Sequence, residues 1–447
     1  MGGSGLLVWS AGTDVRAYDS GSGVIEAPLK ILIVAQNAST VYGGEAVLPV
    51  HYFRGLRARG HSVKLIAHER NRADLEAHFG AGCEALHFIP DTRLHRLIWR
   101  LGVGFPAKIE EALFGNLMNL LNEVHQKRLI RELVAAGEVD VIHQPMPVSP
   151  KAPSSIHGFG VPVIVGPMNG GMTWPDGYDD FQRRSERLFA HAGRALSAVV
   201  HRLIPGKRRA AALVVANERT RAALPPGSSP NVIELVENGV DLSTWHGDRL
   251  ASGSGSEDLV LVFMGRLVAW KALDVTLHAL RLALDDGVRV RLEVLGDGKE
   301  RRRLEELAAG LGLADHVQFH GFMPQAECVE ILARADALIL NSLYECGGAV
   351  VLEAMSMGLP VIGPDWGGPA DYLDETCGIL VHPSPRDTYA ARIAEAIGVL
   401  AADPDRRVRM GRAGAARVRR DFDWDVKVDQ MVSIYRAALG QQARRAG

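Results

Sequence analysis

Residues 341–371 read NSLYECGGAVVLEAMSMGLPVIGPDWGGPAD. The apolar run Ala337, Leu338, Ile339, Leu340 just ahead of them predicts a buried strand. A polar turn holding Tyr344, Glu345, Gly347 and Gly348 leads from it into 349–357, which is apolar all round and predicts a buried helix. A helix that begins on glycines presents unpaired N–H groups and the positive end of its dipole to whatever lies above the sheet, which favours phosphate or sugar hydroxyls. Ligands of open α/β sheets bind there, at the carboxyl ends of strands.

Two carboxylates frame the turn, Glu345 before the helix and Glu353 eight positions later among Val350, Val351, Leu352, Ala354 and Met355. A carboxylate with buried neighbours is costly without a polar partner. Taken alone, the pair also fits a plainer reading, Glu345 as a capping residue and Glu353 as a solvated helix residue. Gly358 and Pro360 then stop the helix, Val361 and Ile362 start another strand, and Gly367, Gly368 and Pro369 make a second glycine turn. Two adjacent strand-to-glycine turns weigh against the plainer reading.

Residues 265–371 resemble the C-terminal half of a retaining glycosyltransferase of family 4. FMGRLVAWKALD is similar to the family's arginine/lysine segment, LGDGKERRRLEELA to its next strand and helix, and the two Glu eight apart to its signature pair. The match runs more weakly from Pro28 onward. The resemblance implies a GT-B fold, two facing Rossmann-like, doubly wound α/β domains with a cleft between them.

A chain of 447 residues exceeds the usual single-domain size, so two domains and a large core are expected. A net charge of −2 gives no global pull toward nucleic acid or membrane. Cysteines 83, 328, 346 and 377 form no CxxC pair and no metal-ligand spacing, which speaks against a disulfide framework or zinc site and fits a reducing cytoplasm. No apolar stretch is long enough to span a bilayer.

Along the chain, 1–28 reads as a flexible leader. Strand–turn–helix alternation starts at 29–35, with a helix over 45–59, further strands at 62–67, 85–89, 139–143, 161–165 and 212–216, a helical insertion over 92–136 broken at 102–106, and a second helical stretch over 180–209. Asn238 and Gly239 mark a turn, so the N-terminal, acceptor-side domain is expected over 29–237 and the nucleotide-sugar domain over 238–424. In the second domain strands are expected at 259–264, 288–295 and 317–320. In similar enzymes the last helix, here about 425–440, packs back on the first domain.

Arg266 ends a strand and Lys271 follows five residues on; two fixed cations at a strand's carboxyl end suit a pyrophosphate whose leaving group gains charge. The resemblance implies roles for the rest. Arg266 and Lys271 would hold the donor phosphates, and Glu345 with the amides of Gly347, Gly348, Ala349 and Val350 the donor sugar. Glu353 would take the ribose hydroxyls, Phe322 and Met323 the base, and Gly43 and Gly44 would close the site from the other domain. No metal or other cofactor is implied, the donor being a UDP- or GDP-sugar substrate. The chain departs from the family at Gly347, where an aromatic residue is usual, at Ala272 in place of glycine, and at Met168 and Asn169, where many relatives carry a histidine. A sugar-side hydrogen bond then falls to Asn169 or to His143, which also fits a structural strand-end histidine.

The resulting expectation is a cytoplasmic, retaining, metal-independent hexosyltransferase acting on a saccharide or lipid-linked acceptor, in cell-surface or exopolysaccharide synthesis. A phosphorylase or epimerase on the same fold and a silent sugar-nucleotide-binding protein are the rivals. A dinucleotide oxidoreductase is disfavoured because Gly296-Asp297-Gly298 lacks the third glycine of the fingerprint. Arg183, Arg184, Arg187, Arg194, Arg202, Lys207, Arg208 and Arg209, with Arg93, Arg96 and Arg100 around Leu94, Leu97, Ile98 and Trp99, fit either a solvated basic face or peripheral contact with an anionic membrane on the inner face of the plasma membrane.

Overall fold

The computed structural model describes residues 27–41, 44–103, 105, 110–181, 200–246 and 258–446. They form two compact units. Unit 1 takes Met1–Gly171, Phe189–Glu237 and Lys427–Gly447, and unit 2 takes Met172–Leu188 and Asn238–Val426.

Unit 1 is built on seven parallel strands: β1 (Lys30–Val34), β2 (Ser62–His68), β3 (Leu86–Ile89), β4 (Val141–Gln144), β5 (Val163–Met168), β6 (Ala212–Val215) and β7 (Val232–Glu234), in the order β3-β2-β1-β4-β5-β6-β7. Both faces of the central strands are covered, which is why they read as continuous apolar runs rather than alternating ones. Leu32, Val34, Ile142, Val165, Leu213 and Val215 carry the core. The helical insertion becomes helix Arg93–Gly102, then a π-helical turn Glu110–Gly115 running into helix Asn116–Ala135.

The C-terminal helix, Trp424–Ala446, locks into unit 1 from Lys427 onward. The Tyr435 hydroxyl donates to Nδ1 of His143 at 2.7 Å, and the Lys427 ammonium donates to the Val236 carbonyl. A Cβ on Gly55 would stand 2.7 Å from Cγ2 of Val428, so helix Leu48–Ala58 and the last helix pack at a distance that only glycine permits.

Most of the second expected helical stretch, 182–199, lies outside the described residues, and with it Arg183, Arg184, Arg187 and Arg194, as do the leader to residue 26 and Gly43. Within the described part the expectation is corrected at Lys207. That residue is 2% exposed and donates to the carbonyls of Ser149 and Pro150 at 3.1 and 2.6 Å, so it is a core cross-link and not a surface cation. Burial brings its ammonium down to about 7.

Unit 2 repeats the architecture with six parallel strands: β8 (Leu259–Met264), β9 (Val290–Leu295), β10 (Val317–Gly321), β11 (Ala337–Ile339), β12 (Val361–Pro364) and β13 (Gly378–Val381), ordered β10-β9-β8-β11-β12-β13. β9 lies one strand in from the edge, and its alternation of Val290, Leu292 and Val294 with the exposed Arg291 and half-buried Glu293 matches that position. In each sheet the chain winds outward one way, then returns to the other side of its first strand. The reversal falls between β1 and β4 in unit 1 and between β8 and β11 in unit 2, the places where loops leave in opposite directions and open a crevice.

Candidate active site

The residues after β8 and after β11 meet at the reversal point of unit 2. β8 is wholly buried up to Met264, and the chain emerges at Gly265 and the exposed Arg266. A short 3₁₀ turn, Ala269–Lys271, returns Lys271 so that its ammonium lies 3.8 Å from where a Cβ on Gly265 would stand. Lys271 Nζ donates to Oε2 of Glu345, and the Leu343 N–H donates to the Trp270 carbonyl at 2.8 Å. One side-chain and one main-chain bond thus stitch the two loops together. Both charged side chains stay partly accessible, Lys271 at 12% and Glu345 at 18%.

Helix Ala349–Ser356 begins directly beyond Glu345, with Gly348 as its N-cap at φ 93°, ψ 59°. Glycine is required there twice over. The left-handed backbone disfavours any L side chain, and a Cβ would stand 3.2 Å from Cγ of Glu345. No side chain caps the helix, and its first N–H groups, those of Ala349 and Val350, have no intrahelical partner. The second glycine turn braces the first: the Gly368 N–H donates to the Glu345 carbonyl at 2.8 Å. Below the turn the Asn341 amide donates to Thr276 at 2.7 Å in the core, holding the base of the loop to helix Leu273–Asp285.

Glu353 sits four residues into the helix, on the face of Ala349. It is half-buried, and its carboxylate has no hydrogen bond or ion pair among the described residues. Burial alone pushes it up to about 7. A buried-side carboxylate with unfilled lone pairs is a ready acceptor for ligand hydroxyls. At the end of β10, Phe322 is 83% exposed, the most exposed large apolar side chain among the described residues, with Met323 half-buried beside it. An aromatic ring left in water at a strand's carboxyl end offers a face for a planar ligand group.

Sequence reasoning missed the strap Met172–Phe181, which groups with unit 2 although it lies in the chain between two segments of unit 1. Trp174 lies between Phe181 and Tyr344, with ring centroids 5.0 and 5.1 Å away, and the Trp366 indole donates to the Thr173 carbonyl at 3.1 Å. Arg386 closes the strap with two 2.9 Å bonds to Asp180. The strap therefore backs Tyr344, the neighbour of Glu345. No local periodicity signals such a contact, because the partners stand about as far apart in the chain as Thr173 and Trp366.

In unit 1 the structure places His143 and Asn169 inside. His143 is fully buried, Nε2 donating to the Gly166 carbonyl at 2.7 Å and Nδ1 accepting from Tyr435, so both nitrogens are engaged and burial lowers its pKa to about 4. This corrects the expectation of a sugar-side role in favour of the strand-end structural one. Asn169, 6% exposed, donates to Glu237 at 2.6 Å and accepts from Thr220 at 3.3 Å, so its amide is spent on the interior. Gly44 opens a 3₁₀ turn after β1 with φ 72°, a left-handed backbone that favours glycine. His68, Asp91 and His95 cluster; the Nδ1 atoms of both histidines accept backbone N–H bonds, from Arg70 and Thr92, and Nε2 of His95 pairs with Asn122, while Nε2 of His68, 4.0 Å from Asp91, has no hydrogen-bond partner among the described residues.

Residues 248–417 match the family described as glycosyl transferases group 1. The D-inositol 3-phosphate glycosyltransferase of Geodermatophilus obscurus is 37% identical over 236 residues, 48% of this chain and 50% of that one. Its namesake from Segniliparus rotundus is 33% identical over 222 residues, 47% and 48% of the two chains. The chain spans about half the length of the curated relatives it matches. Anabaena Alr3699/HepE in complex with UDP has the same fold, with a TM-score of 0.63 at 17% identity over 92% of this chain and all of that one. The fold is accordingly GT-B, two Rossmann-like parallel-sheet domains. The matched stretch 248–417 takes in the arginine, the lysine and the two glutamates set around the reversal point of the second sheet.

Proposed function

We propose that this chain is a retaining, metal-independent glycosyltransferase that moves a hexose from a nucleotide sugar to a saccharide or lipid-linked acceptor in the synthesis of a cell-surface polysaccharide. The observation that carries this reading is the Lys271–Glu345 pair at the mouth of a glycine-capped helix, next to Arg266. A diphosphate laid over that helix end meets unpaired N–H groups and two cations, the field that a departing nucleoside diphosphate needs as it gains charge. Arriving phosphates draw Lys271 away from Glu345, and the freed carboxylate accepts hydroxyls of the sugar. Glu353 accepts the ribose hydroxyls and Phe322 lies against the base.

In the reaction the bond from the sugar's anomeric carbon to the diphosphate oxygen breaks and one to the acceptor oxygen forms on the same face. The acceptor's proton passes to the departing phosphate. The side chains at this site then serve charge and position, and no protein nucleophile is used. The solved complexes of Anabaena Alr3699/HepE with UDP and with UDP-glucose support a uridine donor, and the inositol phosphate acceptor in the names of the relatives supports a polyol or sugar acceptor.

A thermal-shift panel of UDP- and GDP-hexoses tests the donor, since a ligand at a hundred times its Kd stabilises by about 2.7 kcal/mol. Saccharide, lipid-linked and inositol phosphate acceptors are then assayed with the stabilising donor without inorganic phosphate. No stabilisation by any nucleotide sugar sinks the reading, and turnover that requires inorganic phosphate transfers it to a phosphorylase.

A further inference from the structure

We propose that the helical hairpin of unit 1, Arg93–Gly102 with Asn116–Ala135, is a docking surface for an anionic lipid bilayer. The hairpin uses none of the residues assigned above to donor chemistry.

Thr92 caps helix Arg93–Gly102, its hydroxyl accepting from the His95 N–H while the His95 ring accepts from the Thr92 N–H. Once the helix starts there, its residues divide into three stripes. His95, Ile98 and Gly102 face inward and are buried. Leu94, Leu97 and Leu101 share a second stripe and are 49%, 52% and 56% exposed, while Arg93, Arg96 and Arg100 share a third, also exposed. Trp99, 63% exposed, lies on the far side of the arginines. Phe105 and Leu117, beyond the helix, are each 50% exposed. Nine of the sixteen large apolar side chains exposed among the described residues fall between 94 and 124. Scattered exposed leucines are ordinary, but a concentration of this kind marks a surface that is covered in use.

Charge selects the occupant. Along the helix Arg93–Gly102 the sequence holds Arg93, Arg96 and Arg100 and no acidic residue, and the three arginines stand in register beside the leucine stripe. Leucine and tryptophan side chains flanked by a cationic stripe match the boundary between acyl chains and anionic headgroups. At ten residues the helix is about 15 Å long, half of a bilayer's ~30 Å hydrocarbon core, and no helix among the described residues is long and apolar enough to cross a membrane. It therefore lies in the plane of the surface.

The full chain is sedimented with phosphatidylcholine vesicles and with vesicles of equal parts phosphatidylcholine and phosphatidylglycerol. It is expected to bind the anionic vesicles, more weakly at high salt, and to have Trp99 quenched by brominated lipid, a signal missing in Trp99→Phe. Reversing Arg93, Arg96 and Arg100 to Glu lowers vesicle affinity on the order of a hundredfold; replacing Leu94, Leu97 and Leu101 by Ser does likewise, while Arg302→Glu in unit 2 leaves it unchanged. Equal and negligible binding to both vesicles, binding untouched by the hairpin variants, or a dimer in solution dispersed by the Ser variants without vesicle binding overturns the proposal. Nucleotide-sugar stabilisation of the same variants reports separately on the donor site, so failure of one reading leaves the other standing.

Discussion

Lys271 donates to Glu345 across 74 positions of sequence, from loops that follow the adjacent strands β8 and β11. The pair is a closed circuit until a ligand competes for either member. Each half is partly accessible, Lys271 at 12% and Glu345 at 18%, so a ligand atom can reach either member and replace its partner.

Replacing Lys271 or Glu345 by Ala should therefore leave the fold intact and cut transfer by roughly a hundredfold or more, the cost typical of removing one group that stabilises transition-state charge. Donor turnover and circular dichroism are measured on the same preparations. Near-wild-type turnover in either variant removes the central assignment.

Glu353 should link nucleotide binding to protons. Its carboxyl titrates near 7 because it is buried without a partner, and hydroxyls donating to it favour the charged form, so its pKa falls on binding. UDP affinity then rises with pH up to about 7 and levels off above. Around pH 7 protons are released on binding, read as a dependence of the binding heat on buffer ionisation enthalpy. Glu353→Gln should abolish the release and weaken binding by about 1–3 kcal/mol. Without ligand the sign reverses: the raised pKa contributes stability below about 4.5 that is lost as pH rises through about 7. Binding with no proton linkage at pH 7 returns Glu353 to a structural role.

His143 makes the opposite stability prediction in acid. Burial holds it neutral down to about 4, while the unfolded chain takes up its proton near 6.5, so the native state loses about 3 kcal/mol of stability between pH 6.5 and 4 through this residue. In His143→Gln the difference in denaturation midpoint from the wild type should shrink over that window. A parallel pH profile in the two proteins contradicts the buried, doubly bonded histidine.

Activity should survive excess chelator, because Arg266, Lys271 and the helix end supply the positive field. Loss of turnover that magnesium or manganese restores counts against the proposed mechanism.

The two parallel sheets, the glycine turn at Glu345 and the buried helix behind it were legible in the sequence, because continuous apolar runs, glycines and their spacing are local properties of the chain. Arg266, Lys271, Glu345 and Glu353 stand out by residue type and by position relative to strand ends and the glycine turn, while their roles come from the family resemblance and are proposals. β7 and β13 were not read, being three and four residues long and embedded between loops, where no period can establish itself. The burial of His143, Asn169 and Lys207 and the docking of the strap Met172–Phe181 against Tyr344 came only with tertiary structure. A polar side chain becomes a core cross-link when distant carbonyls, amides and rings close around it, as Gly166 and Tyr435 do for His143. The sequence determined where charge and glycine would stand at the strand ends, while folding decided which polar groups were left facing a ligand, because that depends on which partners the rest of the chain brings within hydrogen-bonding distance.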